Sequence, residues 1–342
     1  MEKMKTPSYL QKGDLLDLVA PSFGCVIEPY ATRMEASIKR LKREGYRIRE
    51  GVNIRRADGV VSSAPAKERA EEFMEAYLSP DSKAVISVGG GELMCEMLSY
   101  IDFFALKSAT PKWFMGFSDN ANLTFLLPIL CGVKAIYGPN LPSFYEKPFR
   151  FAQLDALRAL SGESHFEGYP KYFGKSNKDW PALYKPRANK EKKIIATRYE
   201  KPVEGMLLGG CLDVLENLMG TPFDKVAEFV EKQDSVIWFF EACDLNGLSI
   251  RRALWRMKEA GWFKNASMLL FGRHLAEVFP HNDFMGVNPI SAVEVLDEYD
   301  LPMLQDIDLG HLGPAMPLIT GAKAKVSYEN GNILIDYEEE EA

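Results

Sequence analysis

Short apolar runs alternate with longer stretches whose apolar residues recur every three or four positions, the pattern of strands followed by amphipathic helices. Residues 14–20 read as a strand, Pro21-Ser22-Phe23-Gly24 as its turn, and residues 30–44 as a basic amphipathic helix. A second unit joins a strand at 46–49 to a helix at 64–78, and a third runs from a strand at 83–88 through Gly89-Gly90-Gly91 into a helix at 92–98. A fourth strand stops at Ser118, which opens a helix predicted to reach Leu130, and residues 134–139 supply a fifth strand. Strands alternating with helices of this length predict a mostly parallel sheet covered on both faces, with ligands at the carboxyl ends of the strands. The glycine turn and Ser118 both fall at that edge.

Beyond about residue 151 the pattern dissolves into polar and aromatic sequence. Residues 169–193, with Asp179-Trp180-Pro181 and a charged run at 189–193, read as an interdomain crossover or substrate lid, the charged run itself as a solvated face. Periodicity returns at Thr197, with runs at 203–210, 235–240 and 266–271, helices at 211–219 and 249–260, and alternating strands at 322–328 and 333–337. The predicted class is α/β, with domains at 1–165 and 197–342 joined by the 166–196 crossover. Residues 338–341 read as a frayed acidic end, and no internal repeat is visible.

With 342 residues, 46% of them hydrophobic, the chain is long enough for two domains with cores of ordinary size. Its 41 Lys and Arg against 48 Asp and Glu leave a net charge of −7, which removes the attraction that nucleic acid or an anionic lipid surface requires. The first residues lack the apolar core of a secretory signal and no run approaches a membrane span, so a cytoplasmic location is expected. The five cysteines, Cys25, Cys95, Cys131, Cys211 and Cys243, are odd in number and widely spread, with no metal-ligand spacing. Reduced core thiols are expected rather than disulfides or a metal cage.

The chemistry centres on Gly116-Phe117-Ser118-Asp119. A serine at a strand-to-helix turn is held up at the sheet edge as a nucleophile, although Ser118 or Asp119 would equally serve as an ordinary helix N-cap. A serine nucleophile needs a base and a group to orient that base. Of His165, His274, His281 and His311, the last sits in a glycine-flanked loop between apolar segments and is the best base, with His274 also at a strand end. Glu241 ends a very apolar strand and is placed to orient an imidazole, with Asp244 its competitor. The Gly89-Gly90-Gly91 turn lacks the nucleotide-loop patterns and is better suited, through a Gly90 or Gly91 amide together with that of Asp119, to an oxyanion hole.

Residues 84–91, Gly116-Phe117-Ser118-Asp119, Gly209-Gly210-Cys211-Leu212, Phe239-Phe240-Glu241 and Gly310-His311 together resemble, in order and spacing over nearly the whole chain, the LD-carboxypeptidase family of serine peptidases. That family includes muramoyl-tetrapeptide carboxypeptidases and microcin C immunity peptidases. The resemblance implies a flavodoxin-like parallel-sheet N-terminal domain, a swivelling β/α C-terminal domain and a homodimer. It implies Ser118 as nucleophile, His311 as general base and then acid, and Glu241 as its orienting partner. Gly90, Gly91 and Asp119 form the implied oxyanion hole, and no metal or cofactor is implied.

Phe117, Ala121 and Cys211 depart from the tyrosine, threonine and asparagine of the family pattern, the first two at local supports and the third in the pocket. Trp180 or Tyr184 in the crossover is placed either to stack on a nucleoside or to pack the loop against the body, and Arg273 is the candidate for binding a carboxylate. The leading expectation is release of terminal D-alanine from murein tetrapeptide by cleavage of an L,D bond. A peptidyl or aminoacyl nucleotide conjugate is the alternative substrate, toward which residues 86–90 lean, and a non-enzymatic ligand-binding protein is the alternative of another class.

Overall fold

The computed structural model describes residues 3–58, 62–173, 181–275 and 289–338. The alternating units of the first half build one parallel sheet from β1 (Leu15–Val19), β2 (Arg47–Glu50), β3 (Ser82–Ser87), β4 (Trp113–Gly116) and β5 (Ala135–Tyr137), in the order β5-β4-β3-β1-β2. This is the flavodoxin-like order, in which the strand sequence reverses beside β1 and opens a crevice at the carboxyl edge. Leu16, Leu18, Val85, Ile86, Phe114 and Met115 are all buried, as strands covered on both faces require. Helix α1 (Tyr30–Arg43) buries Met34, Ile38 and Leu41, and α2 (Ala66–Leu78) buries Ala70, Phe73 and Tyr77. Each of the larger apolar side chains stabilises the fold by roughly 1.5–3 kcal/mol through burial.

The helix expected at 92–98 is instead a 3₁₀ turn, Met94–Tyr100, whose first amide donates to Asp119 Oδ2 at 2.9 Å. The helix expected from Ser118 to Leu130 is wound unevenly, as a 3₁₀ turn at Ser118–Asn120, an α-helix at Ala121–Leu126 and a π-turn at Leu127–Cys131. Pro128, which has no N–H to donate, lies inside that last turn.

The second half contributes β6 (His165–Glu167), β7 (Lys171–Phe173), β8 (Ala188–Glu191), β9 (Ile195–Thr197), β10 (Val203–Cys211), β11 (Val236–Glu241), β12 (Ala266–Gly272), β13 (Met303–Ile307), β14 (Leu318–Thr320), β15 (Lys323–Glu329) and β16 (Asn332–Tyr337). Eight of these form a sheet in the order β6-β16-β15-β10-β11-β12-β13-β9, parallel from β10 to β13 and antiparallel at both margins, while β7 and β8 pair as a separate ribbon. The crossover therefore carries short strands that its sequence does not announce. Three or four residues with exposed alternate positions leave no periodic signal.

The halves interlock. β14 lies far along the second half yet adds antiparallel to β5, completing six strands in the first sheet. Its Thr320 hydroxyl donates to Thr124 O at 2.6 Å. From the other side, Phe125 on the helix that follows Ser118 packs against Trp238 and Trp262, with ring centroids 6.2 and 5.5 Å apart. The turn that carries Ser118 is thus clamped between the two cores.

Candidate active site

At the end of β4 the chain passes through extended Phe117 to Ser118, which has φ +64°. A non-glycine residue in the left-handed region costs of order 1–3 kcal/mol, and the surroundings hold it there. The Ser118 amide donates to the Tyr137 hydroxyl at 3.2 Å, and the Phe117 amide to Asn140 Oδ1 at 2.9 Å. Asn120 Nδ2 donates to Gly89 O at 2.8 Å, fastening the glycine turn beside the serine. Gly116 contributes space rather than turn conformation, since a Cβ there would stand 2.5 Å from Asn120 Cβ.

Ser118, His311 and Glu241 meet in one hydrogen-bonded chain. His311 Nε2 lies 3.0 Å from Ser118 Oγ, and Nδ1–H donates to Glu241 Oε2 at 2.7 Å. Glu241 is fully buried at the end of β11, and its other oxygen, Oε1, accepts from the Tyr137 hydroxyl at 2.6 Å. The Phe117 ring stands 4.6 Å from the imidazole. Asp244, the competitor for the orienting role, is an exposed residue whose amide donates to Asp213.

The loop that presents His311 is anchored at its base. Asp308, fully buried, accepts from Arg273 Nη1 at 2.6 Å, from Lys192 Nζ at 2.7 Å and from the Tyr169 amide at 2.6 Å. Arg273 also donates to Leu312 O and Pro314 O, at 3.0 and 2.9 Å. The expectation that Arg273 binds a substrate carboxylate is therefore corrected: all three of its guanidinium nitrogens donate inside the protein, and it is only 1% exposed. Gly310 has φ +100°, and a Cβ there would lie 3.1 Å from Glu241 Oε2, so a side chain would press on the acid.

Burial works to raise the Glu241 carboxyl, but the charge of His311 and hydrogen bonds from His311, Tyr137 and Cys211 outweigh it and leave the pKa lowered. Burial likewise works to lower His311, and the Glu241 charge with the Cys243 and Glu241 hydrogen bonds raise it well above its ordinary value. Each partner favours the charged form of the other. His274 differs: it is 3% exposed, neither ring nitrogen has a described partner, and burial lowers its pKa to about 3. His165 is tied to Asp336 at 2.6 Å, and His281 lies outside the described residues.

The glycine turn lies against the serine. A Cβ on Gly90 would stand 2.9 Å from Ser118 Cβ and 3.1 Å from its Oγ. The amides of Gly90 and Gly91 donate to none of the described residues. The Asp119 carboxylate is wholly structural, accepting from the Ser22 hydroxyl, the Met94 amide and Asn122 Nδ2, which fixes the turn that carries the Asp119 amide.

Two cavities flank Ser118. The larger, about 650 Å³, has a mainly apolar wall that includes Phe23, Tyr30, Phe117, Phe151 and Phe173, with Arg33 beside them. The smaller, about 50 Å³, is polar and lies toward Asp213 and Asp244. Tyr184 borders neither; its carbonyl accepts from the Tyr145 hydroxyl, and Trp180 lies outside the described residues. Cys25 and Cys131 are core thiols pushed up to about 12 by burial, whereas Cys95, Cys211 and Cys243 gather around the site. Cys211 Sγ, Glu241 and His311 bring ligand-type atoms within 4.8 Å of one another, the one such group among the described residues. Both Glu241 oxygens are already hydrogen-bonded, so the group reads as part of the proton chain. The sequence reading missed Tyr137, although its place at the end of the fifth strand, before Gly138-Pro139, put it at the same edge.

A serine set on a strained turn, with a histidine and a buried glutamate in line behind it, defines a serine-hydrolase type of site. Residues 16–138 match the LD-carboxypeptidase N-terminal domain and residues 204–326 the LD-carboxypeptidase C-terminal domain. The chain belongs to the LD-carboxypeptidase family, which makes it a serine carboxypeptidase of that type. It is 28% identical over 313 residues to the Microcin C7 self-immunity protein MccF of Escherichia coli, covering 89% of this chain and 88% of that one. In fold it is similar to MccF solved in complex with aspartyl sulfamoyl adenosine, with TM-score 0.80 and 23% identity over 98% of each chain. The muramoyltetrapeptide carboxypeptidase from Oxalobacter formigenes superposes with TM-score 0.70 at 23% identity, covering 95% of this chain and 99% of that one.

Proposed function

We propose that the protein hydrolyses an amide through an acyl-enzyme formed on Ser118, a reading carried by the hydrogen-bonded chain Ser118–His311–Glu241. Ser118 Oγ attacks the carbonyl carbon as His311 Nε2 takes its proton, and Glu241 holds the ring and balances the imidazolium. The oxyanion is met by the amide of Asp119 with that of Gly91 or Gly90. As the tetrahedral adduct collapses, the carbonyl re-forms, the carbon–nitrogen bond breaks with His311 returning the proton to the departing nitrogen, and the ester on Ser118 Oγ remains. Water, deprotonated by His311, then repeats the attack and frees the serine.

For the substrate, the L,D bond of murein tetrapeptide is one reading. The larger cavity favours the other, an aminoacyl or peptidyl nucleotide conjugate. Its 650 Å³ exceeds what a departing D-alanine fills, and its aromatic wall suits the face of a base. Arg33, which borders it, supplies the charge for a phosphate-like linkage or a carboxylate. No helix among the described residues is long and apolar enough to cross a membrane. The same reading takes the enzyme as a cytoplasmic homodimer, which light scattering on the purified chain checks for assembly.

The test incubates the purified protein and its Ser118→Ala variant with murein tetrapeptide and, separately, with aspartyl sulfamoyl adenosine, following products by mass spectrometry. Serine-dependent cleavage of the conjugate alone supports the nucleotide reading, and release of D-alanine alone supports the murein reading. Ligand binding without serine-dependent turnover of either would favour a non-enzymatic binding protein.

A further inference from the structure

The smaller cavity has a chemistry of its own. Its wall carries Glu92 from the glycine-turn side and Asp213 and Asp244 from the opposite half of the molecule, and none of its described lining residues is basic. Asp213 is fixed in place, its oxygens accepting from the amides of Cys243, Asp244 and Leu245 at 2.9, 2.8 and 3.1 Å. Burial raises the Glu92 pKa, and the neighbouring Asp119, Asp244 and Asp213 charges add to the rise, as like charges facing a shared space must.

Asn122, fully buried on the same wall, is an independent sign. Its Nδ2 donates to Asp119 O at 2.9 Å and Oδ1 at 3.1 Å, which fixes the amide's orientation because both partners are acceptors. Its own Oδ1 is left with no partner. A buried carbonyl oxygen without a donor carries its full desolvation cost until a donor arrives. Three carboxylates therefore line a space whose described wall carries no positive charge, and the buried amide with the orphaned oxygen stands in the same wall.

We propose that this cavity is a subsite for a primary ammonium on the acyl residue of the substrate, so that the enzyme selects acyl groups whose amine is free. The volume of about 50 Å³ admits a group of ammonium size. Ser118 borders both cavities, so an acyl carbonyl on its Oγ places the neighbouring amine toward the carboxylates and the leaving group toward the apolar space. A terminal carboxylate is repelled from the small cavity by the same charges. Because Glu92 and the two aspartates come from opposite halves, the bound ammonium also relieves their mutual repulsion. The inference rests on the reading of Ser118 as nucleophile. The amine is either the α-amine or a side-chain amine, and the shared requirement is an unblocked ammonium.

The test uses four sulfamoyl adenosine conjugates: L-alanyl, N-acetyl-L-alanyl, Nα-acetyl-L-lysyl and Nα,Nε-diacetyl-L-lysyl. Their affinities are measured by calorimetry on the full-length Ser118→Ala variant and their turnover on the parent. The two members of each matched pair differ only in whether one amine is free or acetylated, so the alanyl pair reads the α-amine and the lysyl pair the side-chain amine. Expected is a preference of about tenfold or more for the free amine in one pair, reduced at least about fivefold by Glu92→Gln with Asp244→Asn. Equal affinity within both pairs, or a preference that survives both substitutions, overturns the subsite. Thermal melting of each variant separates loss of fold from loss of selectivity. Turnover persisting in Ser118→Ala would instead sink the nucleophile assignment, and the calorimetric preference still tests the subsite on its own.

Discussion

The Tyr137 hydroxyl donates to Glu241 Oε1 at 2.6 Å while accepting the Ser118 amide at 3.2 Å, so one phenol oxygen ties the Ser118 backbone to the carboxylate behind His311. Burial, and then the Glu241 charge, hold the phenol pKa well above its ordinary value, so it stays a donor. Tyr137 stands on β5, next to β4, and reaches across the interface to β11. The proton chain is therefore assembled only when both sheets are in register.

Tyr137→Phe removes that oxygen and leaves buried Glu241 Oε1 short of a donor. The expected outcome is a loss of about 1–3 kcal/mol in stability and a fall of roughly 10–100-fold in kcat, with KM little changed. Steady-state kinetics beside denaturant melts check it. Unchanged kcat would mean that the phenol holds nothing the reaction uses.

The first five strands, the glycine turn and the strained serine were legible because apolar runs bounded by glycine leave a strong local signal. Ser118, Glu241 and His311 were each legible as candidates from a strand end or a glycine-flanked loop, but their grouping was legible only through motif order, since nothing local says that residues on separate sheets will touch. Tyr137 was hidden because its role depends on which strand β11 faces, a tertiary fact. Arg273 was misassigned for a related reason: a guanidinium at a strand end looks the same in sequence whether it meets a ligand or a buried Asp308. The added strand β14 was invisible because three residues carry no period, and what places it is the Thr320 hydroxyl and pairing with β5.

Activity and stability should respond to pH in opposite directions. Glu241 is held below its ordinary 4.5 and His311 well above its ordinary 6.5, so the pair stabilises the fold fully between those values. That stability is lost as pH falls through the lowered Glu241 pKa or rises through the raised His311 pKa. Catalysis needs neutral His311, so the acid limb of kcat/KM should lie above 6.5 and activity should climb while Tm declines. An acid limb at or below 6.5 would contradict the coupling.

Glu241→Gln separates orientation from binding. A neutral amide fails to balance the imidazolium, and turnover is expected to fall by about 10³–10⁴-fold with KM within a few-fold. The strongest influence raising His311 also disappears, so the residual acid limb should move to lower pH. An unchanged rate removes Glu241 from the chain.

Gly90→Ala tests the approach of the glycine turn to Ser118. Its Cβ would sit 2.9 Å from Ser118 Cβ and 3.1 Å from Oγ, so the serine or the turn must give way. The expected fall in kcat is about 100-fold, from a displaced nucleophile and a disturbed amide. Gly132→Ala is the control. That position has φ +67° and nothing within 4 Å of the added carbon. It should cost about 1–2 kcal/mol in stability without touching the rate.

Arg273→Ala asks whether the His311 loop is held from beneath. The guanidinium reaches Asp308, Leu312 and Pro314, on both sides of His311, while Lys192 remains to face Asp308. Breaking a buried pair typically costs about 3–5 kcal/mol, and the remaining lysine places the expected loss toward the lower end. Tm should drop and kcat should fall with it, because the imidazole is no longer held 3.0 Å from Ser118 Oγ. Arg273→Lys should restore little, since an ammonium cannot span the three acceptors that the planar fork reaches. A residue that bound the substrate's carboxylate would behave otherwise: KM would rise steeply, Tm would hold, and a substrate lacking that carboxylate would be indifferent to the change. The two patterns do not overlap, so a single pair of kinetic and melting curves decides between a support for the base and a contact for the ligand.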